Sequence, residues 1–291
     1  MAQEGMRPGG AGLELLVLGS GGPRSFGRAA TSYLVLVEGV PRILVDAGPG
    51  AYQAVGKLGV DLGRVDVVLL THLHIDHSGD LPGVFLHRSL TAGGPIRLRV
   101  FGPKGGGLFP DTSRFVRELF GPGGAWEYQR TFGAPEEIQA DDLATGLESP
   151  AREIVTDGDL RVREIATHHG DCPSVGYRVD YRGESIAFSG DMDASALPNI
   201  ESLAKGVDLL VFHCAVLDPP GSPEILYSLH TPPRKIGEAA RAAGAKQLLL
   251  SHIAPDVERR EVEVQRSVAT FYAGGVRFAS DGLRVAARSA R

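Results

Sequence analysis

Short apolar runs punctuated by glycine, proline and aspartate set the rhythm of this 291-residue chain. "LELLVLGS", "TSYLVLV", "RILVDAG" and "DVVLLTH" follow one another near the start. Rich in valine and leucine and bounded by turn formers, they predict strands, and their lack of polar alternation predicts burial on both faces. Between them "AYQAVGKLG" and "DLPGVFLHRSL" predict helices, and "TSRFVRELFG" a third that stops at its glycine. The second half repeats the style. "RVREIAT", "VGYRVDY", "ESIAFSG" and "VDLLVFH" predict strands, "PRKIGEAARAAGA" a helix running into the strand "KQLLLSH", and Glu261 to Tyr272 a last helix before short C-terminal strands. Two β-rich halves with helices between them predict an α/β protein, a four-layered αββα sandwich forming a single domain over 1–291. Gly121 to Leu147 breaks the pattern: it holds the only tryptophan, several glycines and prolines and no clear period, and it predicts a loop-rich excursion covering a cleft.

Composition narrows the setting. No apolar run approaches the roughly 20 residues of a membrane span, and "MAQEGMRPGG" lacks a basic start followed by an apolar block, so the expectation is a cytoplasmic protein without membrane contact. Two cysteines, Cys172 and Cys214, cannot form a disulfide framework and suit a reducing compartment. The net charge of -5 supplies no general basic field, which disfavours nucleic acid as a partner and leaves a small-molecule ester as the expected substrate. A homodimer is admitted.

The chemistry gathers where a strand ends. In "VVLLTHLHIDHSGD", Val67 to Asp80, an apolar run leads into three histidines and two aspartates. Alternate residues of an extended segment share a face, so His72 and His74 can grip one cation, while Asp76 and His77, past the turn, can grip a second beside it. Later strand ends bring His168 and His169 in "EIATHHGD", Asp191 in "IAFSGDMD" and His252 in "LLLSHIAP". Asp191 can bridge two cations, and a histidine from each of the other segments can complete one shell. Imidazole and carboxylate suit zinc, and also manganese or iron. Two cations about 3.5 to 4 Å apart can hold a bridging hydroxide as nucleophile.

With "LGSGGP" and "LVDAG" near the start, this set resembles the metallo-β-lactamase-fold hydrolases. The resemblance implies that His72, His74 and His169 hold one metal, that Asp76, His77 and His252 hold the other, and that Asp191 bridges them. It selects His169 over His168 because His169 abuts the glycine of the family pattern, and it implies that Asp46 hydrogen-bonds a ligand histidine. "RLRVFGPKG", "DLLVFHCAV" and "LHTPPRKIGEAARAAGAKQLLLSHIAP" are most similar to the ribonuclease Z and arylsulfatase-like branch. There a histidine before the helix assists the chemistry, which makes His230 the matching proton donor to a leaving oxygen; Asp76 and His230 are the expected catalytic residues. Two departures stand out. His213 and Cys214 occupy the place of a His-Glu pair in tRNA-processing members, and the excursion has one arginine, no lysine and several acids where those enzymes carry a basic tRNA clamp.

The expected function is a two-metal hydrolase of an ester-type bond, foremost a phosphodiester or a related phosphate or sulfate ester. The other readings are a tRNA 3′-processing endonuclease, a lactonase or β-lactamase, and a non-catalytic metal-binding subunit. The last would be favoured by a broken ligand set, and no ligand position is broken. Cys172 and Cys214 are expected as buried free thiols, and His213, near Asp208 in sequence, as a satisfied core histidine. Phe109, Trp126, Tyr128 and Phe132 are expected to pack a lid or wall the substrate.

Overall fold

Alternation along each strand decides the layers. In β1 (Leu13–Gly19), Leu13, Leu15 and Val17 join a cluster with residues of the opposite sheet, whereas Leu16 and Leu18 join one shared with helices. The computed structural model describes residues 12–24, 26–92, 96–131 and 136–288. The N-terminal stretch 1–11 and Phe132 lie outside the described residues.

β2 (Ser32–Val37) and β3 (Val40–Ala47) continue an antiparallel meander from β1. After α1 (Ala51–Leu58), β4 (Val67–Leu69) pairs parallel to β3. The short α2 (Ile75–Ser78) and α3 (Leu81–Thr91) lead to β5 (Ile96–Pro103), and α4 (Thr112–Phe120) precedes β6 (Glu136–Leu143), both strands again parallel. Parallel neighbours need a long crossover, and the helices on the outer face supply it.

The second sheet repeats this plan. β7 (Arg152–Asp157), β8 (Leu160–His169), β9 (Cys172–Tyr181) and β10 (Glu184–Phe188) run antiparallel. Then α5 (Leu197–Leu203), β11 (Leu209–His213), α6 (Pro233–Ala243), β12 (Gln247–Ser251), α7 (Pro255–Arg259), α8 (Glu261–Ala269) and β13 (Gly275–Phe278) form its parallel half. β14 (Arg284–Ala286) crosses back to pair with β1, so each sheet has seven strands. Val35, Val45 and Leu69 of one sheet share a core with Val175, Tyr177 and Phe188 of the other, and separate apolar clusters join each sheet to its helices. This is the αββα sandwich. Among the described residues no helix is long and apolar enough to cross a membrane.

The excursion differs from its expectation. Its second part is β6, the edge strand of the first sheet, and its first part docks on α4 through Ala125 N to Glu118 O (2.9 Å) and Trp126 N to Leu119 O (2.6 Å). "EEIQADDL" hides its strand character because an edge strand is only partly covered: Ile138 and Ala140 pack toward the α4 side and Leu143 into the core between the sheets, while Glu137, Gln139, Asp141 and Asp142 supply polar positions among them.

Candidate metal centre

The parallel halves of both sheets deliver their C-terminal strand ends to one place, where α/β sheets commonly put chemistry. β4 hands over at Leu70 and Thr71 to the histidine loop, and three bonds pin this loop: Leu70 N to Phe101 O (2.8 Å), Tyr177 Oη to Leu70 O (2.8 Å) and, across the sandwich, Val175 N to Thr71 O (2.9 Å). His74 caps α2, so Asp76 and His77 lie in its first turn. His169 closes β8, Asp191 follows β10, and His252 follows β12.

All seven residues proposed from the sequence as ligands meet here. His72 Nε2 and His169 Nε2 lie 3.0 and 3.3 Å from His74 Nδ1, forming one triad. Asp76, His77 and His252 form another, with Asp76 Oδ2 3.2 Å from His252 Nε2 and 3.6 Å from His77 Nε2. Asp191 Oδ2 stands between the triads, 3.2 Å from His252 Nε2, 3.6 Å from His169 Nε2 and 3.7 Å from His77 Nε2. His230 joins at the side, with Nδ1 3.9 Å from the same oxygen.

Hydrogen bonds outside this ring orient it. Asp46 accepts from Thr71 N (2.8 Å), Thr71 Oγ1 (2.9 Å) and His77 Nδ1 (2.9 Å), which turns His77 Nε2 toward the carboxylates. Leu229 O accepts from His169 Nδ1 at 2.7 Å. Asp46 and His252 both adopt left-handed backbone, each with φ 55, a conformation that costs of order 1–3 kcal/mol outside glycine and gathers at functional sites. At Gly22 a Cβ would stand 2.6 Å from His252 Cε1, so only glycine leaves room for that ring.

Electrostatics favours ligation. Burial, then the neighbouring His77, holds His72 well below the usual imidazole range; burial likewise lowers His169 and His74. These rings are therefore neutral, the form that binds metal. Burial also opposes a charge on His77, but the Asp191 and Asp46 carboxylates override it and hold its pKa well above normal. Burial works against ionised Asp76, yet the His252 hydrogen bond and the His77 charge bring it to about 2. Asp191 stays ionised, burial being outweighed by His252 and His77. His77 Nε2, buried and facing both carboxylates, has no hydrogen-bond partner among the described residues. Three neutral imidazoles and two carboxylates fit divalent cations, and a cation would take the place of the proton that the carboxylates hold on His77 Nε2.

Other expectations resolve differently. His168 turns to the opposite side of β8 and pairs with Asp193 Oδ2 at 2.7 Å. His213 is buried and hydrogen-bonded, but its partner is not Asp208, its neighbour in sequence. Five residues of strand, at about 3.3 Å each, separate the two, and Asp208 is engaged instead by Lys246 Nζ and Ser185 N. His213 Nδ1 hydrogen-bonds Asp191 Oδ1. The signal was available in the pattern: β10, β11 and β12 are parallel neighbours, and each ends in or just before a histidine or aspartate. Of the proposed aromatic wall, Phe109 is the described residue that reaches the cluster, its ring 5.4 Å from that of His74, while Trp126 and Tyr128 meet edge-on.

Cys214 packs in the apolar cluster between the second sheet and its helices, and neither cysteine belongs to a candidate metal group among the described residues. Burial pushes both thiols up to about 12. Ellman's reagent at about pH 8 is therefore expected to find no fast-reacting thiol in native protein and both after denaturation, since the thiolate is the nucleophile. Rapid native reaction of either would contradict the buried-thiol assignment.

Known proteins match this picture. The metallo-beta-lactamase superfamily model matches residues 26–202. Ribonuclease Z of Mycobacterium avium (strain 104) is 30% identical over 285 residues, spanning 94% of this chain and 98% of its own length. Among solved structures, human tRNase Z, short form, superposes with a TM-score of 0.70 at 21% identity, covering 95% of this chain and 100% of that one. The metallo-beta-lactamase fold protein YhfI of Bacillus subtilis does so at 0.69 and 19%, covering 94% and 98%. Together with the converging strand ends, these likenesses identify the chain: it belongs to the metallo-beta-lactamase superfamily, on its ribonuclease Z branch, and is a metal-dependent hydrolase of the phosphodiesterase type.

Proposed function

We propose that His72, His74 and His169 hold one divalent cation and Asp76, His77 and His252 a second, that Asp191 bridges them, and that both are zinc. The observation that carries this reading is the position of Asp191 Oδ2 between the two triads. Bound there, the pair would supply Lewis-acid stabilisation of charge on a phosphoryl oxygen and acidify a water molecule for attack. The chain's own groups have separate tasks. Asp46 and the Leu229 carbonyl fix the tautomers of His77 and His169. His213 anchors the Asp191 oxygen that faces away from the triads. Burial brings His230 down to about 3, so its ring is neutral at physiological pH and offers an N–H to a departing oxygen as a hydrogen bond, rather than the whole proton expected from the sequence.

The substrate we infer is a small phosphodiester. Glu127, Glu137, Asp141 and Asp142 lie in the excursion, where binding a tRNA backbone would call for lysines and arginines. Cleavage of an RNA 3′ end is the second reading, favoured by the likeness to mycobacterial ribonuclease Z over 94% of the chain. Turnover of bis(p-nitrophenyl) phosphate and of precursor tRNA, each between about 50 and about 200 mM salt, tests both. The diester is expected to be hydrolysed with little salt dependence, to resist turnover after chelation and to recover with added zinc. Efficient tRNA cleavage that collapses with salt, without diester turnover, would move the assignment to RNA.

A further inference from the structure

Beside the cluster lies a cavity of about 200 Å³ whose lining includes His230 and His252. The rest of that lining is largely apolar, with Pro223, Leu226, Ala254 and Pro255 prominent. It brings together four separate segments: the turn after β1, Ala215 after β11, the stretch around the 3-10 segment Glu224–Ser228, and the loop from His252 into α7. Arg24 is the one lysine or arginine of the lining; it is exposed and makes no ion pair among the described residues. Pockets for whole drug-sized ligands run to about 300–1,000 Å³. This one is smaller, and apart from the two histidines its polar side chains are Ser222 and the exposed Arg24 and Asp256.

We propose that this cavity is a specificity subsite that takes one compact apolar ring of the substrate, carried on an ester arm of the phosphoryl group at the metal centre. The inference deepens the phosphodiesterase reading and rests on it for the position of the phosphoryl group. A charged group at the cluster and a ring in the cavity are compatible because His230 and His252 border both. Apolar contact there discriminates by size, and even one methylene in such a pocket changes affinity by about tenfold or more.

Binding, rather than turnover, separates the two ideas. Phenylphosphonate and methylphosphonate share the anionic head and differ in the ring, and calorimetric titration into the zinc-loaded full chain is expected to show the phenyl compound binding at least about tenfold more tightly. Leu226 lies on a surface 3-10 segment and is only partly buried, so its replacement leaves the core intact. Leu226→Gln, and Ala254→Phe on a different segment of the lining, should each bring the phenyl-to-methyl ratio toward one. Equal affinities in the parent protein, absence of binding by both compounds, or a ratio that survives both substitutions would overturn the subsite. A phenyl preference without hydrolysis of any diester would leave the subsite standing and reject the phosphodiesterase reading, whereas hydrolysis with a ratio of one would do the reverse.

Discussion

Asp191→Asn is expected to lower phosphodiester turnover by at least about a thousandfold and to reduce the metal content of purified protein from two ions per chain, measured by elemental analysis. Asp191 Oδ2 lies within 3.2–3.7 Å of His252, His169 and His77, so this carboxylate reaches both triads. Asparagine keeps the shape, and its Oδ1 can still accept the hydrogen bond from His213. What it removes is a negative charge at the point where two dications would repel. Lewis-acid stabilisation of several kcal/mol, at about 1.4 kcal/mol per factor of ten, sets the size of the loss. The far-UV circular dichroism of the variant should match the parent, which separates this effect from misfolding. Two tightly held ions and near-normal turnover in Asp191→Asn would reject the bridging role.

The ligand set was legible in the sequence because of how this fold spends its chain. Four of the seven side chains come from Thr71–His77, one strand exit followed by one helical turn, so their spacing alone carries the geometry. Asp191 and His252 could be proposed because each follows an apolar run, and buried strands announce themselves by such runs; His169 ends the mixed strand β8 and was singled out by the glycine that follows it. The same rule explains what stayed hidden. β6 is an edge strand, and its many polar residues made it read as loop, while β7, the charged edge strand of the other sheet, drew no reading at all. His213 lay beyond local reading for a different reason. Its partner Asp191 is 22 residues away and becomes a neighbour only when β10 and β11 align in parallel, whereas the sequence-adjacent Asp208 sits at the far end of the strand. The charge of His230 was not legible for a further reason: burial, which sequence does not display, pulls its pKa down to about 3.

His213→Ala is expected to weaken zinc affinity and to lower kcat, each by about 10- to 100-fold, the usual cost of deleting a group that orients a metal ligand. His213 Nδ1 donates to Asp191 Oδ1, leaving Oδ2 as the oxygen that faces the triads. Without that donor the carboxylate can rotate about its terminal torsion, and a bridging ligand that samples two orientations binds less tightly in either. The KM for a diester should move much less than kcat, because His213 acts on the metal ligands and is not itself part of the cavity lining. His213 is fully buried, so the alanine variant also leaves a void and must lose some thermal stability. Two comparisons keep the functional effect separate. His213→Asn retains an N–H donor in a shorter side chain and should recover part of the zinc affinity. Tyr33→Phe should change zinc affinity by less than about threefold, because Tyr33 Oη bonds Ser251 Oγ at 2.7 Å and stands 3.5 Å from His213 Nε2, too far for a strong contact. Competition with a chromogenic chelator reads the affinity and a melting curve of the metal-free protein reads the stability. If His213→Ala lowers only the melting temperature and leaves zinc affinity and kcat at parental values, His213 is a packing residue and Asp191 needs no anchor.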